Sequence, residues 1–572
     1  MSYPCGVVRM TDFEDDLRLE SNEKILNIGT AGLTAAAFDY FDLKSVLRDA
    51  IGKIGSHVVV DNPEIVQAMV MQVLSVPYQS LYGTSEFFQD KPVAALLGVE
   101  IVDFEDLNRN NLARCLDEIY SFGPERLFLR CARQVADRLG VKVNECHIDS
   151  TSFHYDGRTT VEDGVDLQLD QGYSRDGHPE LNQINLVQIC DAMSKIPMFF
   201  KSVSGHVQDK TSFRNILIDD VPALKREFQD LRYIVGDSAM CTEPIVKTAS
   251  EHGLFYITRI PDSYGIAKEC FAYAREHEDE FKHTDEEDPS SPMAMWCPDS
   301  ELGGQKIRRL LVKNEQLSDK KRHTFDKKAQ KELETVRSKI EKLRTQPCKC
   351  RADAESNLNK IMAKLQFCTV SDISYEEILG FKGKGRPRKD AVKEVMAVAV
   401  SARVEIADDK FEQAIKDGSC YVVCTSDVDR TWTERDLLSV YKRQSVVERN
   451  WKCFKERKLM VSALYLRTPH RISALMWLFS LALLIYTATE YLLRRHMAEE
   501  NLSIPSADHK NTQERPTLMR LYQYIANSNL SLYVSVDSGV VKLLNMRASL
   551  ANVFRALGEA LADITAADTI RD

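Results

Sequence analysis

Residues 144–157 read NECHIDSTSFHYDG, and they mark the point where helical patterning gives way to strands. The apolar residues before Asp149 predict a short strand that ends at this aspartate. INLVQICDA and KIPMFFKSVSG predict two further strands joined by tight turns, and RYIVGDSAM predicts a strand that ends at Asp237. Strands first in hairpin order and then alternating with helices predict an α/β fold, with a mixed sheet and helices on its faces.

This order of strands is the one expected of a ribonuclease-H-like core. Before it, apolar residues at three-and-four spacing predict a mainly helical N-terminal region, in which Asn62 is the expected N-cap of one helix. The sheet pattern stops near residue 261 and resumes at 418–426, which predicts an inserted domain. The expected divisions are a helical region for DNA binding or dimerisation, the first part of the core, the insertion domain, the second part of the core and a C-terminal region, at 1–140, 141–261, 262–415, 416–500 and 501–572.

Composition indicates an ordinary multi-domain globular protein. The 572 residues are 44% hydrophobic and carry a formal net charge of −10. No secretion leader is visible, and 14 scattered cysteines indicate a reducing cytosol. The apolar run 472–493 is interrupted by polar residues and Glu490, so we expect a buried helix and no membrane contact. The basic stretches 306–329 and 382–389 leave local nucleic-acid binding open.

Residues 441–455, YKRQSVVERNWKCFK, place Tyr441, Glu448 and Lys455 seven residues apart. Two helical turns separate each pair, so one helix would project the three side chains from nearly the same face. Charged residues at this spacing also line solvated helix faces, which is the alternative interpretation.

Two strand-end aspartates and a helical glutamate together indicate a metal site. Asp149 and Asp237 would project at the carboxyl edge of the sheet, and Glu448 would pack across it. A lone aspartate after a strand is often only a turn residue. Three carboxylates, however, can hold two Mg²⁺ ions, with Mn²⁺ as a substitute. Such ions activate water or a 3′-hydroxyl and stabilise the leaving oxygen, so the three acids are predicted to be both metal ligands and catalytic residues.

These residues resemble the signature Tyr-x2-Arg-x3-Glu-x6-Lys of a group of DDE transposases from bacterial insertion sequences. Tyr441, Glu448 and Lys455 match it, whereas Gln444 stands at the arginine position and Arg443 lies beside it. The segments GYSRDGHPELNQINL and IPMFFKSVSGHVQD are similar to two further segments of that group. The long stretch before the glutamate is similar to the subfamily with a large insertion.

The resemblance covers roughly residues 140–260 and 415–495, and it implies roles for individual residues. Asp149, Asp237 and Glu448 would bind the metal ions. Contacts to the backbone of the transposon end would come from the tyrosine and lysine of the signature, with Arg443 as the candidate for the phosphate-gripping arginine.

Four further residues outside the acids have two interpretations each. KGRPRK, residues 384–389, has the Gly-Arg-Pro centre of minor-groove hooks, so Arg386 and Arg388 are predicted to bind DNA, although basic loops are often merely solvated. His147 would share a strand face with Asp149 and either touches substrate or packs in the core. Trp296 either stacks on an extruded base or is buried.

The combined prediction is a DNA transposase for cut-and-paste transposition. It would bind terminal inverted repeats, cleave the transposon ends with divalent metal, and join the 3′-hydroxyl to target DNA. Holding two ends of double-stranded DNA implies at least a homodimer, which we expect in the cytoplasm at the nucleoid. A ribonuclease-H-like nuclease without strand transfer, or a non-catalytic DNA-binding protein derived from such an element, are the alternatives.

Overall fold

The computed structural model divides the chain into two compact units. The first comprises Met1–Ala239, Thr248–Leu254 and Arg443–Asp572, and the second comprises Met240–Lys247 and Phe255–Lys442. The structure describes residues 23–52, 60–76, 81–99, 103–155, 160, 162–174, 177–381, 393–445, 447–448, 450–451, 466–505, 512–535 and 540–545.

The N-terminal part of the first unit is mainly helical. Asp61, rather than the predicted Asn62, is the N-cap of its third helix, because the Asp61 carboxylate accepts a hydrogen bond from the Asn62 backbone N–H at 2.8 Å. The Asn62 side chain donates instead to the Ile51 carbonyl at 2.7 Å. Two adjacent residues with capping side chains explain the error of one position. In chain order the described elements are β1 (Glu23–Asn27), α1 (Ala31–Tyr40), α2 (Leu43–Ile51), α3 (Asn62–Val73), α4 (Thr84–Phe88), α5 (Val93–Leu97), α6 (Arg109–Phe122) and α7 (Pro124–Leu139).

A mixed sheet follows the helices of the first unit. Its elements are β2 (Glu145–Tyr155), β3 (Asn182–Asp191), β4 (Pro197–Ser204), α8 (Asp209–Asp219), α9 (Val221–Glu227) and β5 (Tyr233–Gly236). The strand order is β4-β3-β2-β5, in which β2, β3 and β4 are antiparallel and β5 runs parallel to β2. Three antiparallel strands with a fourth parallel to the first form the mixed sheet of a ribonuclease-H-like core, so the predicted fold class is confirmed.

The predicted end of β2 at Asp149 is wrong. The strand continues to Tyr155, and its pairing with β3 extends to Tyr155↔Asn182. Only the pairing with β5 stops near Asp149, at Ile148↔Gly236. The hydroxyl side chains that follow Asp149 suggest a turn, but they are buried within the sheet.

The second unit contains an antiparallel sheet and a separate two-stranded ribbon. After β5 the chain forms α10 (Glu243–Glu251), β6 (Phe255–Ile260), α11 (Gly265–Glu276), β7 (Lys282–His283), β8 (Met293–Leu302), β9 (Gln305–Lys313), α12 (Glu315–Thr345), α13 (Arg351–Met362), β10 (Cys368–Gly380), β11 (Glu394–Ile406), α14 (Asp408–Gly418), β12 (Cys420–Thr425) and α15 (Glu434–Lys442). Within the unit the strands are ordered β6-β12-β9-β8-β7. Strands β10 and β11 form a separate two-stranded sheet, and Val398 of β11 also makes an isolated bridge with Cys348.

The predicted gap in the strand pattern between 261 and 418 is wrong, because β8 and β9 lie inside it. Strand β9 contains Arg309, a charged residue that is almost completely buried. Its guanidinium donates to the Pro298 and Ile266 carbonyls and contacts Glu269 at 2.9 Å. A fully bonded buried arginine can occupy a core position, but in the sequence it resembles a solvent-facing residue.

One end of the β10–β11 ribbon packs on α12 and α13 in a small apolar core. The buried members are Leu333, Val336, Ile340, Ala354, Leu358, Cys368, Val398, Val400 and Val404. This core gives the segment from α12 to β11 a hydrophobic centre of its own.

The C-terminal part of the first unit is organised around one long apolar helix. The elements are α16 (Pro469–Glu499), β13 (Ile504–Pro505), β14 (Thr512–Gln513), α17 (Leu518–Ser528), β15 (Ser531–Ser535) and β16 (Val540–Leu544), of which β15 pairs with β1 and with β16. Within the described part of the chain, α16 is the one helix long and apolar enough to cross a membrane. Its most apolar stretch is entirely buried against α3, α6, α7 and β4, which confirms the predicted buried helix.

Candidate active site

The two predicted catalytic aspartates lie next to each other at the edge where β2 and β5 separate. These strands pair in parallel up to Ile148↔Gly236, and Asp149 and Asp237 directly follow the two residues of this last pair. Paired strands lie about 4.8 Å apart, so the two aspartates leave the ladder as neighbours. Both are half-buried. The structure therefore brings two of the three predicted metal ligands together.

Asp237 also shapes the turn that follows β5. Its Oδ1 accepts a hydrogen bond from the Ala239 backbone N–H at 2.9 Å. An aspartate that bonds to the backbone two residues on forms an Asx-type turn. This turn holds the carboxylate at the end of the strand.

The face of β2 that carries Asp149 is lined by polar residues. Glu145, His147 and Asp149 alternate along the strand and so face the same side of the sheet. Arg443 Nη1 donates to both carboxylate oxygens of Glu145, at 3.0 and 3.3 Å, and Glu145 Oε1 lies 3.0 Å from His147 Nε2. His147 is completely buried, and its Nδ1 lacks a hydrogen-bond partner among the described atoms. Of its two predicted roles, the structure supports packing in the core.

Gln444 contacts the backbone beside Asp149. Its Nε2 donates to the Ile148 carbonyl at 3.4 Å. Its Oε1 is buried and, in the described part of the chain, has no hydrogen-bond partner. A buried acceptor without a donor costs about 1–3 kcal/mol. This oxygen is therefore available to a donor or a cation that enters the site.

The predicted single helix over 441–455 is wrong. Helix α15 ends at Lys442, Arg443 and Gln444 form a turn, and helical residues resume at 445. The break occurs where both turn side chains bond to β2. Tyr441 thus does not share a helix with Glu448, and the seven-residue spacing no longer implies one face.

Glu448 lies on a short helix, described at 445, 447–448 and 450–451, whose far end also contacts the core. Asn450 Nδ2 donates to the Lys195 carbonyl at 2.9 Å, and the Trp451 ring lies 6.1 Å from the Phe153 ring. Phe153 is on the same face of β2 as Asp149, four residues further on. The chain around Glu448 therefore contacts this face on both sides of Asp149, while Glu448 itself is exposed.

Of the three predicted acidic metal ligands, only two are placed together where they could bind a divalent ion. Asp149 and Asp237 offer hard oxygen ligands of the kind that Mg²⁺ prefers, and the orphaned Gln444 oxygen belongs to an amide that contacts the Ile148 carbonyl. Among the residues that the structure describes, however, no three His, Cys, Asp or Glu side chains form a group that could hold a metal ion. Glu448 is thus on the adjoining helix but not gathered with the two aspartates.

The predicted DNA-binding residues have different surroundings. Tyr441 lies on α15 in the second unit, half-buried, with its ring 6.4 Å from the Tyr421 ring. Arg443 is bonded to Glu145, as above. Lys455, Arg386 and Arg388 lie outside the described residues. Trp296, on β8, is half-buried with the Arg308 guanidinium 4.1 Å from its ring centre.

The two further motif segments of the sequence meet through a pair of glycines. A Cβ on Gly172 would come within 2.0 Å of the Gly205 carbonyl oxygen, and a Cβ on Gly205 within 2.2 Å of the Gln183 carbonyl oxygen. Gln183 Nε2 donates to the Gly205 carbonyl at 3.1 Å, and His206 Nδ1 lies 2.7 Å from Asp170 Oδ2. Backbone packs directly on backbone here, which explains why both segments carry glycine.

Sequence reasoning missed the Glu145–Arg443 pair and the Gln444 contact. The signal for the first is the alternation ECHID, which sets Glu145, His147 and Asp149 on one face of the strand and the apolar Cys146 and Ile148 on the other. Polar residues repeated on one face of a buried strand indicate partners from another element. No comparable signal marks the bond from Gln444 to a backbone carbonyl.

The profiles of two protein families together match most of the chain. The profile of a family described as transposase DDE domain matches residues 146–485, and that of a domain of unknown function matches residues 23–133. No curated protein matches at a significant level. Among solved structures, a cryo-EM structure of a piggyBac transposase synaptic complex with hairpin DNA aligns with TM-score 0.38 and 10% identity, over 89% of this chain and 83% of that chain. Since the transposase profile spans more than half of the sequence, the chain belongs to the family of DDE-domain transposases.

Proposed function

We propose that this transposase cleaves DNA at the ends of a mobile element and joins the freed 3′-hydroxyl to target DNA, with Asp149, Asp237 and Glu448 as catalytic metal ligands. The observation that carries the proposal is the Ile148↔Gly236 pair, which makes Asp149 and Asp237 neighbours inside the transposase domain. Two adjacent carboxylates repel each other unless a cation or a shared proton lies between them. Their placement is therefore favourable in a metal site.

The metal is proposed to be Mg²⁺, with Mn²⁺ as a substitute, in a site for two ions. When bound, such ions activate the attacking oxygen and stabilise the leaving oxygen of a phosphodiester. Asp149 and Asp237 would hold the first ion, and Glu448 would complete the site. The Arg443–Glu145 pair and the Gln444 bond keep the chain before Glu448 on the strand that carries Asp149.

The chain is further proposed to belong to the Tyr-Arg-Glu-Lys group of bacterial insertion-sequence transposases. Tyr441 and Lys455 would contact the backbone of the transposon end, and Arg386 and Arg388 would contact duplex DNA from the inserted domain. A DNA contact by Arg443 would have to compete with its bonds to Glu145.

Two transposon ends must be held at once, which favours a homodimer on double-stranded DNA. We propose that this dimer acts in the cytoplasm at the nucleoid.

The proposed domains are the helical region 1–140, the core parts 141–261 and 416–500, the insertion 262–415 and the C-terminal region 501–572.

The test is a cleavage and strand-transfer assay with the full chain, the inverted repeats that flank its gene, and Mg²⁺. Asp149→Asn, Asp237→Asn and Glu448→Gln should each lower the rate of cleavage by at least about a thousandfold, because metal-assisted catalysis is lost. The matched control is Asp219→Asn, which alters an exposed aspartate of α8 and should cleave like the unaltered protein.

Each outcome has a distinct meaning. Full activity of Asp149→Asn or Asp237→Asn would refute the assignment of the site. Cleavage without joined product would favour the nuclease. Binding to the inverted repeats with neither cleavage nor joining, in Mg²⁺ and in Mn²⁺, would favour the non-catalytic DNA-binding protein.

A further inference from the structure

One face of the long helix α12 is basic and carries no acidic residue. Its positions follow one another at steps of three or four residues, so their side chains project from nearly the same side of the helix. They are Thr324, Lys328, Lys331, Thr335, Lys339 and Lys342, and all six are exposed. The four lysines are called the lysine stripe below, and three of them lie beyond the basic stretch 306–329.

The other faces of α12 carry different kinds of residue. Leu333, Val336 and Ile340 are buried in the core of the segment from α12 to β11. Glu334 and Glu341 are exposed and lie seven residues apart, so they share a third face. Positive and negative charges are therefore segregated around the helix. They do not alternate along one face, as they do on a helix that is merely exposed to solvent.

The charges of the lysine stripe are not neutralised by the protein. Among the residues that the structure describes, none of the four lysines forms an ion pair, and Lys328 lies over the Phe325 ring, 5.4 Å from its centre. Lys328 and Lys331 are three residues apart, as are Lys339 and Lys342, and like charges at this spacing repel each other on a helix. An extended anion along the stripe would remove this repulsion.

The dimensions of the lysine stripe fit double-stranded DNA. At about 1.5 Å per residue, the helix rises about 21 Å from Lys328 to Lys342, and the centres of the two lysine pairs are about 16 Å apart. The major groove of DNA is about 12 Å wide, so long side chains at this separation reach phosphates on both edges of one groove. Lysine contacts phosphate as a point charge, and such contacts carry no sequence information.

We propose that the lysine stripe binds the phosphate backbones on the two sides of one groove of double-stranded DNA, independently of base sequence. The inference deepens the proposed function, because it rests on DNA as the substrate of the transposase domain. It adds non-specific duplex binding by α12 to cleavage and joining.

A second copy of the chain fits the lysine stripe less well. Its acidic stretch 276–288 is the candidate anion, but Glu278 and Asp285 within it already pair with Lys416 and Arg435. Duplex DNA, in contrast, carries one negative charge per about 1.7 Å of its axis, and it releases counterions when lysines neutralise its phosphates.

The experiment measures binding of the full-length protein to a fluorescent duplex that lacks the inverted repeats, by anisotropy at several salt concentrations. The double variant Lys331→Gln, Lys339→Gln removes one charge from each pair, and glutamine has nearly the helix propensity of lysine. We expect it to bind at least about tenfold more weakly at low salt, and the slope of log Kd against log salt concentration to fall by about 1.8, which is about 0.9 for each lost phosphate contact.

Two further double variants complete the design. Lys328→Gln, Lys342→Gln also removes one charge from each pair and should reproduce the loss. The matched control is Lys268→Gln, Lys282→Gln, which removes two charges from exposed lysines of α11 and β7 and should bind like the unaltered protein. Chemical denaturation of each variant separates lost binding from lost folding.

An unchanged salt slope in both stripe variants would overturn the proposal, as would an equal loss in the control. A fall in the sedimenting mass of the DNA-free stripe variants relative to the unaltered protein would also overturn it, in favour of a second copy as the partner. The lysine stripe and the proposed function fail separately. Cleavage and joining with an unchanged slope would remove the stripe alone, whereas the expected slopes without cleavage or joining would support the stripe and remove the transposase reaction.

Discussion

The guanidinium of Arg443 lies 3.0 Å from the carboxylate of Glu145, and this ion pair joins the turn before Glu448 to the strand that carries Asp149. Glu145 is the more buried partner, with 13% of its side chain exposed against 34% for Arg443. The resemblance suggested a phosphate contact for Arg443, whereas the structure gives it a partner inside the protein. The two roles differ in how salt affects DNA binding.

Arg443→Met should lower the free energy of unfolding by about 1–3 kcal/mol, because Glu145 keeps its charge and loses its partner. If Arg443 makes no phosphate contact, the slope of log Kd against log salt concentration stays the same. Chemical denaturation and binding titrations at several salt concentrations measure the two quantities. A slope reduced by about 0.9 would instead assign Arg443 a phosphate contact. Arg214→Met, at an exposed arginine of α8, should leave stability unchanged.

Gln444→Glu should destabilise the protein at neutral pH. The new carboxylate would replace the donor that now bonds to the Ile148 carbonyl, and it would lie near Asp149. We expect the free energy of unfolding to fall by about 1–3 kcal/mol, and part of this loss to be regained as acidification protonates the new group. Gln444→Met removes the donor to the Ile148 carbonyl but also the orphaned oxygen and adds no charge, so it should cost less than Gln444→Glu. Equal losses for both variants would show that the new negative charge is not the cause.

The strands and aspartates of the core could be predicted because their signal is local. An apolar strand followed by aspartate is visible in IVGD, and the pairing Ile148↔Gly236 follows from the parallel connection of β2 and β5. The rest depends on contacts between residues that are distant in sequence. Nothing near Arg309 reveals that the Pro298 and Ile266 carbonyls will accept its hydrogen bonds and allow its burial in β9.

The helix predicted over 441–455, within the candidate site, is wrong for the same reason: its course depends on contacts with residues that are distant in sequence. A seven-residue period describes a continuous helix, but the period says nothing about the side chains between its members. Arg443 and Gln444 bond to β2, almost 300 residues earlier in the chain, and the helix is interrupted at these two positions. Asp149 and Asp237 could therefore be paired from sequence, whereas the placement of Glu448 could not.

Gly205→Ala should be strongly destabilising. The new methyl group would lie 2.2 Å from the Gln183 carbonyl oxygen and 2.4 Å from the Asp170 carbonyl oxygen, and neither backbone can move as a flexible side chain would. We expect a loss of at least about 2 kcal/mol in the free energy of unfolding, measured by denaturation. Gly265→Ala is the control, because no atom lies within 4 Å of the added methyl group at the start of α11. A Gly205→Ala protein as stable as this control would contradict the close approach of the two segments.

Glu332 provides a prediction about pH at the base of the ribbon. Its carboxylate accepts hydrogen bonds from the backbone N–H groups of Gln366, Phe367 and Cys368, at 2.9, 2.7 and 2.9 Å. Burial by itself would raise the pKa of Glu332, but these three donors outweigh it and hold the pKa below its usual range. The lowered pKa means that this group stabilises the fold fully above the unfolded pKa, about 4.3, and that the contribution is lost as the pH falls through the lower folded pKa.

Glu332→Gln should therefore be less stable than the unaltered protein at pH 7, because its amide N–H₂ would oppose one of the backbone donors. The difference should shrink below about pH 4, where the natural carboxylate becomes protonated. Solvent screening of this partly exposed group keeps the effect small, so hydrogen exchange of the amides at 366–368 is the more sensitive measurement. Glu334→Gln, an exposed neighbour on α12, should exchange at the unaltered rate. A difference between Glu332→Gln and the unaltered protein that grows on acidification would contradict the sign derived from the lowered pKa, and with it the role of this carboxylate in holding the start of β10.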